Sequence, residues 1–197
     1  MLFRSYSNRS GRYEIWRIQP DGGGLQQLTR TPGGQALYPV WSPDETRLAY
    51  TSSPGPVSIL RLGAPGNEEP PRPLPLYGDP ALEFRAWSWS PDGRKLGGWL
   101  LRSGTTDAGI VIYSLESQKF QRVTDFGRQP VWLNDNRRLL FGSVGGLYVA
   151  DRVSRKVRQI LSIAPQEIGG LALSPDNRTI YYNSAVTDGD IWLAERP

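Results

Sequence analysis

The chain has no cysteine and no histidine in 197 residues. The first absence excludes disulfides, thiol nucleophiles and thiolate metal sites. The second removes Ser-His-Asp and Cys-His catalysis, imidazole metal ligands and the commonest general base. Lysine is scarce as well. Lys95, Lys119 and Lys156 are the only ones, so arginine supplies most of the 23 basic residues. No run of 18 apolar residues occurs, so nothing in the sequence spans a membrane as a helix. The opening Met1-Leu2-Phe3-Arg4-Ser5-Tyr6 has no apolar h-region or small-residue cleavage site, so no secretory signal is read. That leaves the compartment open, and zero cysteine fits cytosol and periplasm equally.

Catalytic signatures are missing too. There is no Gly-x-Ser-x-Gly elbow, no phosphate-binding Gly-rich loop ending in Lys-Ser/Thr and no Gly-x-Gly-x-x-Gly after a strand. Phe141-Gly142-Ser143-Val144-Gly145-Gly146 superficially evokes a nucleophile turn, but it lacks a base and reads as a Gly-rich hairpin. The carboxylates fall at turn positions or in loops, as at Asp21-Gly22 and Glu68-Glu69. Asp188 and Asp190 lack the rest of an oxygen-ligand calcium loop. The sequence therefore assigns no catalytic residue, no metal ligand and no cofactor, and it reads as a non-enzyme.

What is abundant is turn and strand material: 22 Gly, 17 Pro and 11% aromatic residues. These serve tight turns and pleated, half-buried surfaces. They are arranged in a repeat. Trp41-Ser42-Pro43-Asp44 returns as Trp89-Ser90-Pro91-Asp92, Trp132-Leu133-Asn134-Asp135 and Leu173-Ser174-Pro175-Asp176, at intervals of 48, 43 and 41 residues. A second phrase, Glu14-Ile15-Trp16-Arg17-Ile18, returns around Ile59, Ile110, Leu147 and Ile191 with the same mean period of 44. Periods of this size belong to four-stranded propeller blades.

Each period offers four strand candidates. The first leads into the Trp-Ser-Pro-Asp phrase, the second follows it, the third is the Ile-Trp phrase and the fourth is short and polar-flanked. Pro43, Pro91 and Pro175 suit the first central position of a turn, and the aspartates can bond the backbone two residues on. Gly93, Asn136 and Asn177 tolerate a left-handed backbone at the next position. Glu45 breaks this pattern, so its turn is expected to be of another type or mildly strained. The Trp residues are expected to pack between blades.

The cycle Trp41-Ser42-Pro43-Asp44, Arg47-Leu48-Ala49-Tyr50-Thr51-Ser52, Glu14-Ile15-Trp16, Asp21-Gly22-Gly23 and Gln27-Leu28-Thr29 resembles the TolB-type repeat of WD-like propellers, over essentially the whole chain. That resemblance implies an all-β propeller of four-stranded antiparallel blades, with about four to five blades present. The expected divisions are 1–37 (incomplete), 38–81, 82–126, 127–163 and 164–197 (incomplete). The remnants at the two ends overlap rather than complete one blade. Three readings follow: an open or loosely closed set of blades, part of a larger ring, or a ring closed between two chains. Part of a larger ring is preferred, because family rings commonly have more blades and Met1 falls inside a repeat.

Related repeats occur in the periplasmic TolB protein, in sensor regions of bacterial regulators and kinases, and in the propellers of prolyl-oligopeptidase-like peptidases. A binding module for a protein or peptide is the leading expectation. An accessory peptidase propeller or a regulator's sensor propeller is the alternative. Residues at the start of the innermost strands should line the channel mouth: Tyr38, Phe84, Arg85, Arg128, Gln129 and Glu167. Packing of Tyr38 and Phe84 between blades, with solvated arginines, is the competing expectation. The Pro-rich loop Gly63–Pro75 is a second candidate recognition element. The net charge of +4 is spread among scattered arginines, which reads as a solvated surface rather than a nucleic-acid site. Self-association through the incomplete ends is also expected. A TolB-like role would place the chain in the periplasm, and any other role in the cytoplasm.

Overall fold

In a computed structural model, residues 3–7, 11–63, 69–102 and 106–185 are described. They form strands and no helices. The first sheet holds β1 (Phe3–Ser7), β2 (Glu14–Ile18) and β3 (Gln26–Gln27). The second holds β4 (Gln35–Trp41), β5 (Arg47–Ser53), β6 (Val57–Arg61) and β7 (Arg72–Pro73). The third holds β8 (Leu82–Trp89), β9 (Lys95–Arg102), β10 (Thr106–Ser114) and β11 (Lys119–Arg122). The last joins β12 (Arg128–Trp132), β13 (Arg138–Asp151), β14 (Val157–Leu173) and β15 (Ile180–Ala185). All pairings are antiparallel. These are the blades of a β-propeller.

The two long strands combine elements that the repeat separates. β13 folds back on itself around Val144 and Gly145. The Arg152 amide donates to the Arg137 carbonyl at 3.1 Å, and the Phe141 and Tyr148 rings stack across the two arms at 5.6 Å. Gly145 sits at φ +83 and Gly146 at φ +155, conformations that glycine alone adopts without strain. β14 runs from the outer edge of the fourth blade directly into the inner strand of the next. Its start pairs with β13 and its end with β15. In the first two blades the fourth strand, β3 or β7, is only two residues long. In β7 the reason is chemical, since Pro73 and Pro75 have no N–H to give to a ladder.

Alternation along each strand explains the core. In β5, Leu48 and Tyr50 pack toward the first blade, while Ala49 between them packs toward the third. In β10, Ile110 and Ile112 face the fourth blade, while Val111 and Tyr113 face the second. Both faces of a middle blade are thus buried, as a strand with side-chain period two allows. Trp89 and Trp132 sit between blades, and the Trp89 indole N–H donates to the Val40 carbonyl of the preceding blade at 3.0 Å.

Every described Trp-Ser-Pro-Asp phrase and its variants adopts one turn. The Glu45, Gly93, Asn136 and Asn177 amides donate to the Ser42, Ser90, Leu133 and Ser174 carbonyls. All four residues have φ between +55 and +66, which is a type I turn followed by a left-handed residue. Glu45, at φ +56, therefore makes the same turn as its counterparts and carries the strain. The serines add to the turn. Ser42, Ser90 and Ser174 each donate to the aspartate two residues on at 2.5–2.6 Å.

The turns are also linked from blade to blade. Arg47 Nη2 donates to the Gly93 carbonyl, Asn136 Oδ1 accepts from the Asp92 amide, and Asn177 Oδ1 accepts from the Asn134 amide at 2.6 Å. The threonine of the Gln-Leu-Thr phrase ties fourth strand to third. Thr29 Oγ1 accepts from the Ile15 amide, and Thr124 Oγ1 from the Ile110 amide.

Candidate binding face at the channel mouth

The innermost strands β4, β8, β12 and the end of β14 all break register once near their middle, between Leu37 and Val40, Ala86 and Ser88, Arg128 and Val131, and Ile168 and Gly170. A bulge bends the strand and re-aims side chains. Two bulge residues, Tyr38 at φ 52 and Gln129 at φ 54, hold left-handed backbones that cost a non-glycine residue strain. Both are residues that the sequence places at the mouth.

From these bulges a continuous set of side chains crosses four blades. Tyr38 meets Trp87 with ring centroids 6.2 Å apart. Trp87 packs edge-on against Trp99 at 5.4 Å. The Trp99 indole N–H lies on the side of Asp107 and favours its charged carboxylate. Asp107 faces Arg128 Nε at 3.8 Å, and Arg128 Nη2 meets Glu167 Oε2 at 3.1 Å and the Ile168 carbonyl at 2.9 Å. Arg85 lies over the Tyr38 ring, its guanidinium carbon 5.6 Å from the centroid, and reaches Glu83 at 3.5 Å. Burial pushes the Asp107 carboxyl above its ordinary value; the Arg128 charge opposes that push and the Glu167 charge adds to it.

Of the six residues expected at the mouth, Tyr38, Arg85, Arg128, Gln129 and Glu167 are half-buried or exposed, and the first four of these lie on inner strands. Phe84 is the exception. It is 8% exposed, belongs to the core between the second and third blades, and packs edge-on against Phe120 at 5.2 Å. Its strand position faces an adjacent blade rather than the channel, because side chains alternate.

Trp87, Trp99 and Asp107 join the set without having been singled out. Trp87 left a signal in the sequence: Pro39 and Pro130 hold its position in the sister strands. Asp107 left none, since it sits beyond the repeat phrases at the start of β10. Among the described residues, no group of three or more His, Cys, Asp or Glu side chains could hold a metal ion. Asp188, Asp190, Glu68 and the Ile-Trp phrase around Ile191 lie outside the described residues.

No protein-family model matches the chain. An 88-residue stretch is 35% identical to the Tol-Pal system protein TolB of Ruthia magnifica subsp. Calyptogena magnifica; it makes up 45% of this chain and 20% of that protein. The chain is a TolB-like β-propeller. Its fold superposes on TolB from Acinetobacter baumannii with a TM-score of 0.70 at 19% identity, covering 92% of this chain and 46% of that one. It superposes equally on an oligogalacturonate lyase from Vibrio parahaemolyticus, TM-score 0.72 at 14% identity, covering 93% and 55%. This TolB-like propeller thus spans about half of either solved structure and a fifth of the curated relative.

Proposed function

We propose that this TolB-like propeller is a non-catalytic binding module whose channel mouth receives a protein or peptide. The observation that carries the reading is the connected set from Tyr38 to Glu167. It combines aromatic rings packed tilted and edge-on, which are rigid and amphipathic, with arginines held by neighbours. Aromatic and arginine side chains on a concave, preorganised surface are the usual anchors of protein recognition. Two strained bulge residues, Tyr38 within the set and Gln129 next to Arg128, fit the same reading, since strain is retained where function needs it. The absence of histidine and cysteine leaves carboxylates as the only ordinary acid-base groups at the mouth. Asp107 and Glu167 are both engaged by Arg128. A periplasmic location belongs to this reading and is checked by cell fractionation.

The experiment is a selection of peptides from a random library on the immobilised 197-residue chain, followed by affinity measurements with Arg128→Ala and Trp87→Ala. Loss of about tenfold or more in affinity with either variant, the size of one good interface anchor, is the expected result. Binders indifferent to both substitutions count against the mouth. Turnover of a peptide or glycoside that Asp107→Asn or Glu167→Gln abolishes counts against a non-catalytic role.

A further inference from the structure

Beside the mouth set, between the second and third blades, lies a cleft of ≈ 330 Å³. One wall is the hairpin from Ser53 to Val57, and the other is the connection from Leu74 to Leu82. The repeat is broken on both sides. Pro54 and Pro56 flank the hairpin glycine, and Pro75 stands where the sister blades have Thr29 and Thr124. Proline fixes the backbone and donates nothing, so these walls are stiff and leave space where other blades close up. Leu37, Val57, Leu74 and Leu82 give the interior an apolar character, and Leu76, 75% exposed, stands at the rim.

Two polar atoms in this lining have no hydrogen-bond partner. Thr51 is only 6% exposed, and its Oγ1 bonds to nothing. Arg85 Nε is likewise buried and unpartnered, while its Nη2 makes only the loose contact with Glu83. Native structures seldom leave buried polar atoms unmatched, because the desolvation is not recovered. Two such atoms on one apolar cleft call for a ligand that supplies the partners. The Nε edge of a guanidinium is shaped to take a carboxylate side-on.

We propose that this cleft is a second binding site, which takes the C-terminal end of a peptide whose last residues are apolar. The aliphatic side chain lies among Leu37, Val57, Leu74 and Leu82. The terminal carboxylate meets the free edge of Arg85, and the Thr51 hydroxyl bonds the same polar end. The volume is at the small end for ligand sites, which fits a few residues and not a folded partner. This site shares Arg85 with the mouth set, but Thr51 and the proline walls belong to it alone, so shifts at those residues separate it from the mouth reading.

The test is amide NMR of the ¹⁵N-labelled 197-residue chain titrated with leucyl-leucine, and with leucyl-leucinamide as the control lacking a carboxylate. Saturable shifts at Thr51, Gly55, Tyr77 and Leu82, about tenfold weaker for the amide, are the expected result. Thr51→Val should weaken leucyl-leucine binding while raising the melting temperature of the free protein, since it deletes an unmatched buried hydroxyl. A merely structural Thr51 would do the reverse, lowering the melting temperature and leaving affinity unchanged. The proposal is overturned by that reverse outcome, by shifts confined to Arg128, Gln129 and Glu167, or by no saturable shift at millimolar probe.

Discussion

Leu96 in the third blade and Ile180 in β15 hold the same place in the repeat, seven residues past Trp89 and past Leu173. Leu96 is sealed at 0% exposure, whereas Ile180 is half-buried. The next two positions diverge further. Ala49 and Tyr50 of the second blade are buried, but their counterparts Tyr181 and Tyr182 are 61% and 45% exposed. The interfaces follow suit. Among the described residues, twelve buried ones form the core between the second and third blades, and three form the core between the fourth blade and the strands after it. The difference lies in the neighbours and not in the strands. A propeller blade is buried on a face only when another blade lies against it, so equal sequences acquire unequal stability along the array.

Four tests sharpen or break that comparison. Leu96→Ala should cost about 3 kcal/mol in denaturant unfolding, as a sealed leucine does, while Ile180→Ala should cost under about 1 kcal/mol. Equal losses would mean that the last strands are as well packed as the middle blades.

Asn177→Ala should cost about 1–2 kcal/mol, because alanine takes φ +57 poorly and cannot accept from the Asn134 amide. Its size measures how firmly the terminal turn is tied to its neighbour. Glu45→Gly should stabilise by about 0.5 kcal/mol by relieving the strained turn in the second blade. A loss there would show that the Glu45 side chain contributes something its strain conceals.

The smallest effect is with pH. The Ser42 hydroxyl, with the Thr46 side chain and amide, lowers the Asp44 carboxyl from 3.8 to about 2. A carboxyl depressed on folding stabilises above its unfolded value, and that contribution is lost as pH falls through the folded one. Asp92, Asp135 and Asp176 are lowered in the same sense. The melting temperature should therefore drop between about pH 4 and pH 2, and Ser42→Ala should flatten the part due to Asp44. The exposure of Asp44 keeps this contribution modest.

The positions of four mouth candidates on the inner strands were legible before any coordinates, and for a definite reason. Tyr38, Arg85, Arg128 and Gln129 are fixed by their distance from the Trp-Ser-Pro-Asp phrase, and a strand transmits that distance faithfully. Phe84 was misplaced by one step of the pleat, which turns a side chain from channel to core. The bulges could not be read, because an extra residue in one strand shows only against its partner. Asp107 joins Arg128 across a blade boundary, and the unpartnered Thr51 hydroxyl is defined by what fails to surround it. Neither has a local signal.

The sequence by itself determined the period, the turn with its left-handed fourth residue, the alternation of side chains and the all-β architecture. Each of these is set by local backbone preference or by spacing along one strand. The tertiary structure decided which faces are sealed, how Asn136 and Asn177 join successive turns, and which charges and rings meet at the mouth. The links between turns join residues some 40 positions apart, as from Asn134 to Asn177, and the mouth contacts, such as Asp107 to Arg128, cross from one blade to the next, so no single strand contains both partners.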